Sequence, residues 1–168
     1  MGASTLISVE EYLRTSFSDG DREYVDGRIV ERNAGEIDHS DLQSQITFYI
    51  NSRYKSFWTG VAVRVQVRAT RFRVPDVTVV AGPKPKGRII NTPPHLVVEV
   101  LSPDDHADEL QEKIDDYLAF GIPFIWVVNP RTGRGYVYTS AGIQEAKDGV
   151  LRTANPEIEV PLASVLGS

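Results

Sequence analysis

The feature that most constrains the fold is a glutamate inside an apolar run. Residues 95 to 103, HLVVEVLSP, have the pattern of an apolar β-strand that a Ser-Pro pair ends, but Glu99 stands in the middle of it. A run this apolar is typical of a strand with both faces buried. An unpaired ionised carboxylate is too costly there, so the chain must supply a basic partner, a raised pKa or a metal ion.

A second acid lies in a similar run. In VPDVTVVA, Asp76 precedes residues that favour strands, and period-two alternation puts it on one face with Thr78 and Val80. Two acids on adjacent apolar strands repel each other unless a cation lies between them. Carboxylates suit Mg²⁺ or Mn²⁺, which bind one or two of them together with waters and substrate phosphates. Asp76 and Glu99 therefore predict a shared divalent-metal site.

Each acid also has a purely structural explanation. Glu99 could be a core carboxylate paired with an arginine, because buried charges are normally paired. Asp76 follows Pro75 and could instead end a strand in a turn-like position. We favour the shared site because acids with shifted pKa values cluster at functional sites.

A lysine lies on the helix predicted after Glu99. Lys113 is on the flank of the apolar face of that helix, next to Leu110 and Tyr117. From there a lysine can extend its amino group towards the sheet edge while its stem stays packed. It could orient a water or neutralise a developing oxyanion, although a solvated lysine paired with Glu109 is the simpler alternative.

Local signals predict the remaining elements. Helices are expected at SVEEYL, DHSDLQSQITFYINSRYK and DDHADELQEKIDDYLAF, and strands at REYVDGRIVER (a hairpin), VAVRVQVRA, FRVPDVTVVA, FIWVVNP and GYVYTS. The third helix is expected to begin at a cap on Asp104 or Asp105 and to end at Gly121. The tail predicts a small hairpin and an edge segment. This order favours an α/β or α+β fold in which helices flank a mixed sheet.

Composition narrows the function classes. The 168 residues suit a single domain, 1–168, and 41% hydrophobic with 24% charged residues is ordinary for a globular protein. There is no cysteine, which excludes disulfides and thiol chemistry and agrees with a cytoplasmic location. We find no signal-peptide pattern and no apolar run long enough for a membrane helix. A net charge of −5 argues against a nonspecific nucleic-acid coat protein, but a nucleic-acid enzyme remains open.

The densest basic stretch surrounds the run that contains Asp76. Its members are Arg64, Arg68, Arg71 and Arg73, with Lys84, Lys86 and Arg88 beyond them. Such a stretch could hold the phosphates of DNA or RNA while the acids act. The same charges could instead keep an exposed sheet edge from pairing with another edge. Both interpretations stay open.

These residues together resemble a known superfamily. Asp76 in VPD, Glu99 in VVEVLSP and Lys113 in QEKIDDYLAFGIPFIWVVNP resemble the PD-(D/E)XK nucleases, and most closely the Uma-two (Uma2) family of restriction-endonuclease-like proteins. The REYVDGRIVE hairpin and the helix DHSDLQSQI also resemble that family, so the likeness covers most of the chain. The resemblance implies a restriction-endonuclease-like fold and a metal-dependent endonuclease, with DNA as the expected substrate.

The resemblance also implies residue roles. Asp76 and Glu99 would bind Mg²⁺ or Mn²⁺, and the carbonyl of Val100 would be a third ligand. The position two residues after Glu99 is Leu101, where the superfamily pattern has a lysine. The resemblance implies that the catalytic lysine has moved to the helix, where Lys113 stands.

Two further positions match the family more loosely. Glu23 matches an acidic position and would be an additional metal ligand, although it could simply pair across the hairpin with Arg28 or Arg32. His39 would contact substrate, although a histidine before a helix is more often a capping or surface residue.

Two other function classes compete with the nuclease. A protein with the same fold but no turnover would be a nucleic-acid- or protein-binding module. A weaker alternative is a metal hydrolase for a small phosphorylated molecule. For the nuclease we expect a homodimer, because double-strand cleavage needs two sites and most soluble oligomers have two-fold symmetry.

Overall fold

The computed structural model describes residues 5–18, 21–33 and 35–167. The helices are α1 (Val9–Arg14), α2 (Ile37–Arg53), α3 (Ala107–Phe120) and α4 (Leu162–Val165). The strands are β1 (Glu23–Val25), β2 (Arg28–Val30), β3 (Trp58–Val61), β4 (Val65–Arg68), β5 (Arg71–Arg73), β6 (Val77–Val80), β7 (Leu96–Val100), β8 (Phe124–Asn129), β9 (Arg134–Thr139), β10 (Gly142–Glu145), β11 (Val150–Arg152) and β12 (Glu159–Pro161). None of the helices in these ranges is long and apolar enough to cross a membrane.

The strands form two main sheets and a ribbon. One sheet has the order β10-β9-β8-β7-β6-β3, the other has the order β2-β1-β5-β4, and β11 pairs with β12. The pair β7 and β8 is parallel, and α3 makes the crossover that a parallel pair requires. The other strand pairs are antiparallel. This mixed α+β architecture confirms the predicted fold class.

Strand β7 is covered on both faces, as its apolar run predicts. Val98 belongs to the cluster that contains Ile46 of α2. Val97, on the opposite face, belongs to the cluster that contains Ile114 of α3. By the alternation of a strand, Glu99 shares the face of Val97 and is directed towards α3.

Local turn and cap signals are confirmed. The hydroxyl of Ser8 accepts a hydrogen bond from the backbone N–H of Glu11, at 3.1 Å, and caps α1. Asp26 and Gly27 both have positive φ, 50° and 97°, as the tight turn between β1 and β2 requires. Helix α3 ends at Gly121, whose φ of 104° is left-handed.

Two segments that we predicted as single strands are each broken. Ala62 adopts a left-handed φ of 52°, which ends β3 at Val61 and sends β4, from Val65, into the other sheet. Pro75 lies between β5 and β6, where it has no N–H to donate to a ladder. Asp76 consequently lies in the bend just before β6 and not inside a strand, as the turn-like alternative describes.

The start of the third helix also differs from the prediction. Neither Asp104 nor Asp105 is its cap, because α3 begins after His106, which makes no side-chain cap bond. The carboxylate of Asp105 instead accepts hydrogen bonds from the backbone N–H of Ser102 and from Nδ2 of Asn33, both at 2.8 Å. Asp105, which the sequence pattern predicted as a helix cap, therefore stabilises the turn before the helix instead.

His95 links the start of β7 to the segment before β12, and this contact predicts acid sensitivity. Its Nε2 lies 2.9 Å from the carbonyl of Pro156 and 3.0 Å from the hydroxyl of Thr153, and burial lowers the pKa of His95. The neutral ring is therefore favoured in the folded state. The stability that depends on it is complete above the unfolded pKa of about 6.5 and falls as pH drops through the lower folded pKa.

We expect the urea midpoint of the wild type to fall more steeply than that of His95→Gln between about pH 7 and about pH 5. Parallel profiles for the two proteins would contradict a neutral buried His95. Other titrating groups are common to both proteins and cancel in the comparison.

Candidate active site

Neighbouring strands bring the two predicted acids together. Because β6 pairs with β7, Asp76 at the entrance of β6 lies beside the end of β7 that carries Glu99 and Val100. One carboxylate oxygen of Asp76, Oδ2, accepts the backbone N–H of Val100 at 2.7 Å. The two acids are only 3% and 6% exposed. The pair predicted from sequence is thus adjacent and buried.

The charge of Asp76 is compensated by an arginine. Its other oxygen, Oδ1, accepts from Nη2 of Arg32 at 2.7 Å. Nε2 of His39 lies 3.2 Å from the same oxygen, although in a direction that does not meet hydrogen-bond geometry. The interaction with the Asp76 carboxylate raises the pKa of His39, against the effect of burial. His39 itself is buried within the first turn of α2, so it is neither a cap nor a surface residue.

The buried carboxyl group of Glu99 is stabilised differently. It accepts a hydrogen bond from a tyrosine, and its raised pKa favours the neutral form. The hydroxyl of Tyr117 on α3 donates to Oε1 of Glu99 at 2.5 Å. Burial raises the pKa of Glu99 to about 7, the positive charge of Lys113 opposes this, and the negative charge of Asp76 adds to it. The side-chain partner of Glu99 is thus a tyrosine and not the arginine of the structural alternative.

Glu23, at the start of β1, is fully buried near Lys113. Its Oε2 accepts the backbone N–H of Val74 at 2.8 Å, and its Oε1 lies 3.2 Å from Nη1 of Arg73 and 3.5 Å from Nζ of Lys113. It therefore does not pair with an arginine across its own hairpin. To act as a metal ligand, as the resemblance implies, Glu23 would have to give up at least one of these contacts.

Lys113 extends from α3 towards the acids, with 20% of its side chain exposed. Burial disfavours its charged form, but the carboxylates of Glu99, Glu23 and Asp76 outweigh burial and raise the pKa of Lys113. The side chain is therefore an ammonium ion at neutral pH. Such a group can hold a water or stabilise negative charge, but it has no free electron pair to act as a base.

A cavity of about 290 Å³ connects this region to the surface. Glu99, Lys113 and Arg73 form its inner wall, whereas Asp76 and Arg32 are not part of its lining. Its other charged and polar lining residues are Arg28, Glu31, Asn33, Asp105, His106, Glu109 and Glu112. A phosphate that enters this cavity can therefore contact Glu99 and Lys113, whereas Asp76 lies behind the lining.

The arginines before Asp76 are engaged in other contacts. Arg64 donates to the carbonyl of Thr15 at 2.9 Å and stacks on the ring of Tyr12 at 4.5 Å. Arg71 and Arg73 both donate to the buried carboxylate of Asp116, at 2.9 and 2.8 Å. Their contact with phosphate stays a prediction, and it would require these interactions to open.

The remaining basic residues are more exposed but do not continue a track to the acids. Arg68 is exposed at the end of β4. Lys84, Lys86 and Arg88 lie in the connection between β6 and β7, which joins the ends of these strands opposite to the two acids.

The oxygen atoms that could bind a divalent metal ion at this site fit such an ion only in part. Among the residues that the structure describes, no group of three or more histidine, aspartate or glutamate side chains could hold a metal ion. Two carboxylates with a neighbouring backbone carbonyl still match Mg²⁺, which completes its shell with waters and substrate phosphates. The Asp76 oxygen that faces Arg32 would have to exchange the guanidinium for the ion.

Three site residues were not predicted from the sequence. The roles of Tyr117 and Asp116 could have been suspected, because both lie near the core face of α3 and Arg71 and Arg73 alternate towards one side of their strand. Arg32 ends the predicted hairpin, and the sequence suggested it only as a partner of Glu23. Its partner in the structure is 44 residues away in the chain.

Comparisons with known proteins agree with the fold. The Uma2 family model, described as a putative restriction endonuclease, matches residues 9–163. A crystal structure of a putative nuclease belonging to DUF820 from Anabaena variabilis superposes with a TM-score of 0.79 at 20% identity, over 95% of this chain and 97% of the other, which shows a common fold. No curated protein matches the sequence. Because the family model spans nearly the whole chain, the protein belongs to the Uma2 family of putative restriction endonucleases.

Proposed function

We propose that the protein is a divalent-metal-dependent endonuclease that hydrolyses phosphodiester bonds in nucleic acid, with DNA as its substrate. The observation that carries the proposal is the placement of two buried carboxylates, Asp76 and Glu99, at adjacent strand ends, with the ammonium group of Lys113 beside Glu99 on one cavity wall. Membership of a nuclease family supports the reaction class.

Each residue has a distinct role in this proposal. Asp76, Glu99 and the carbonyl of Val100 would hold Mg²⁺ or Mn²⁺. When bound, such an ion neutralises phosphoryl charge and makes a bound water more acidic. Lys113 orients the attacking water or stabilises charge on the phosphate, since its amino group stays protonated. Tyr117 positions the Glu99 carboxylate through its hydrogen bond.

The remaining expectations stay proposals of the same kind. Glu23 would position Lys113, and it remains a candidate further ligand. His39 would contact the substrate together with the arginines Arg64, Arg68, Arg71 and Arg73. A homodimer, a single domain over 1–168 and a cytoplasmic location complete the proposal.

The test is cleavage of supercoiled plasmid DNA with Mg²⁺ or Mn²⁺ and with EDTA. We expect Asp76→Asn and Glu99→Gln to lower the cleavage rate about 100- to 1,000-fold, because the metal contribution is worth several kcal/mol. Glu109→Gln, which removes an exposed carboxylate from the same cavity wall, should cleave like the wild type. Wild-type rates in both site variants would refute the assignment.

One observation favours a second candidate, a binding module without turnover. Both acids already have partners within the chain, Arg32 for Asp76 and Tyr117 for Glu99, so neither depends on a metal ion for a partner. Such a module would bind nucleic acid or protein equally well in EDTA. Metal-dependent cleavage that disappears in the site variants would eliminate it.

A further inference from the structure

Each buried acid of the candidate site already lies near a basic side chain. The acids are Glu23, Asp76, Glu99 and Asp116, and the cations that contact or face them are Arg32, Arg71, Arg73 and Lys113. His39 also lies 3.2 Å from Asp76, and Arg71 and Arg73 also lie near Glu112. A divalent ion that binds at Asp76 therefore meets a carboxylate oxygen that is already paired with Arg32.

Three of the four cations are poorly placed to leave. Arg73 contacts both Glu23 and Asp116, and its side chain is only 4% exposed. Arg71 contacts Asp116 and not the predicted metal ligands Asp76 or Glu99. Lys113 is held next to Glu23. The departure of Arg73 or Lys113 would remove one of the two cations beside Glu23 and would not free an oxygen of Asp76.

Arg32 differs because its guanidinium contacts Asp76 directly, through Nη2 to Oδ1 at 2.7 Å. Arg32 lies in the connection between β2 and α2, so its side chain can move without breaking a strand or a helix. The carboxylate would keep its orientation, because Oδ2 still accepts the N–H of Val100.

We propose that Arg32 is an exchangeable counter-ion that occupies the cation position at Asp76 and competes with the divalent ion for it. The inference rests on the proposed metal site and adds the residue that sets its affinity. A buried carboxylate left without any cation is strongly destabilising, so release of the guanidinium and arrival of the ion are coupled. The metal-free protein thereby keeps Asp76 compensated.

The test is calorimetric titration of Mn²⁺ into four proteins: the wild type, Arg32→Gln, Arg32→Lys and Arg28→Gln. A charge-assisted hydrogen bond of this kind is worth about 1.5–3 kcal/mol, so Arg32→Gln should bind Mn²⁺ about 10- to 100-fold more tightly than the wild type. Arg28→Gln removes an equal charge from the cavity wall and should change the affinity less than about threefold. Arg32→Lys, which keeps the charge, should bind Mn²⁺ more weakly than Arg32→Gln.

Thermal unfolding provides a second measurement that does not depend on activity. In EDTA, Arg32→Gln should melt at a lower temperature than the wild type, because Asp76 has lost its cation. Saturating Mn²⁺ should raise the melting temperature of Arg32→Gln by more than that of the wild type. An Arg32→Gln protein that melts like the wild type in EDTA would overturn the proposal.

The outcomes separate this inference from the nuclease proposal. Saturable Mn²⁺ binding of equal strength in wild type and Arg32→Gln would overturn the role of Arg32 and leave the metal site intact. Equal tightening in Arg28→Gln would also overturn it, because the effect would then be one of general charge. If no protein of the series binds Mn²⁺, even with an uncleavable phosphorothioate duplex present, the metal site itself is absent and both proposals fail.

Discussion

Replacement of Arg73 by methionine is expected to destabilise the folded protein by about 3–5 kcal/mol. The guanidinium is buried and donates to Oδ2 of Asp116 at 2.8 Å and to Oε1 of Glu23 at 3.2 Å. Methionine is apolar and keeps the first part of the stem, although it is shorter than arginine. Two buried carboxylates lose their shared cation and keep only Arg71 and Lys113 beside them, and the cost of this lost compensation dominates. Equilibrium urea unfolding at about pH 7 measures the loss.

The matched control is Arg68→Met, in the strand next to that of Arg73. Arg68 is exposed, so this variant should change the free energy of unfolding by less than about 0.5 kcal/mol. Adding Asp116→Asn to Arg73→Met should recover part of the loss, because the neutral amide does not need a cation. Similar losses for the Arg68 and Arg73 variants would show that Arg73 does not hold the buried acids together.

The second large expected effect is that replacing Glu99 by glutamine stabilises the folded protein while it removes a carboxylate from the candidate site. Burial raises the pKa of Glu99 to about 7 from an unfolded value of 4.5. With a raised folded pKa, the contribution of Glu99 to stability is complete below about pH 4.5 and is lost as pH rises through about 7. In metal-free buffer, Glu99→Gln should therefore be about 1–3 kcal/mol more stable than the wild type at about pH 8. The amide oxygen can still accept from Tyr117.

The pH dependence of the stability difference between Glu99→Gln and the wild type tests this prediction more sharply than a measurement at one pH. The advantage of Glu99→Gln over the wild type should shrink steadily from about pH 8 to about pH 5, where the wild-type carboxyl is itself protonated in the folded protein. Glu109→Gln, at an exposed position of the same helix, should show no such pH-dependent gain. A constant difference across this range would mean that Glu99 titrates normally. Loss of activity with a gain in stability is the pattern expected of a residue kept for function.

The sequence alone determined the elements whose signals are local. The turn at Asp26-Gly27, the cap at Ser8 and the end of α3 at Gly121 depend on the conformational preferences of a few consecutive residues. The long apolar run around Glu99 required cover on both faces of its strand. The order of the elements was sufficient to predict a mixed sheet flanked by helices, and the two acids in apolar runs were sufficient to predict that Asp76 and Glu99 lie close together.

The points at which the chain passes from one sheet to the other could not be predicted from the local sequence. The alternating pattern of VAVRVQVRA is the same whether its residues form one strand or two, and only the packing of two sheets requires the left-handed Ala62 between β3 and β4. Asp105 satisfies the cap pattern for α3 equally well, but contacts with Ser102 and Asn33 place it in the preceding turn. In both cases tertiary contacts outweighed a local preference worth only about 1 kcal/mol.

The partner of each buried charge was decided by the tertiary structure alone. The sequence determined that Asp76 and Glu99 need compensation, because the cost of burying a carboxylate does not depend on the rest of the fold. It could not determine that Arg32 compensates one and Tyr117 the other, since these partners are 44 and 18 residues away from the acids in the chain. Electrostatic attraction acts between any opposite charges, and only the packing of β6, β7 and α3 determines which of them meet.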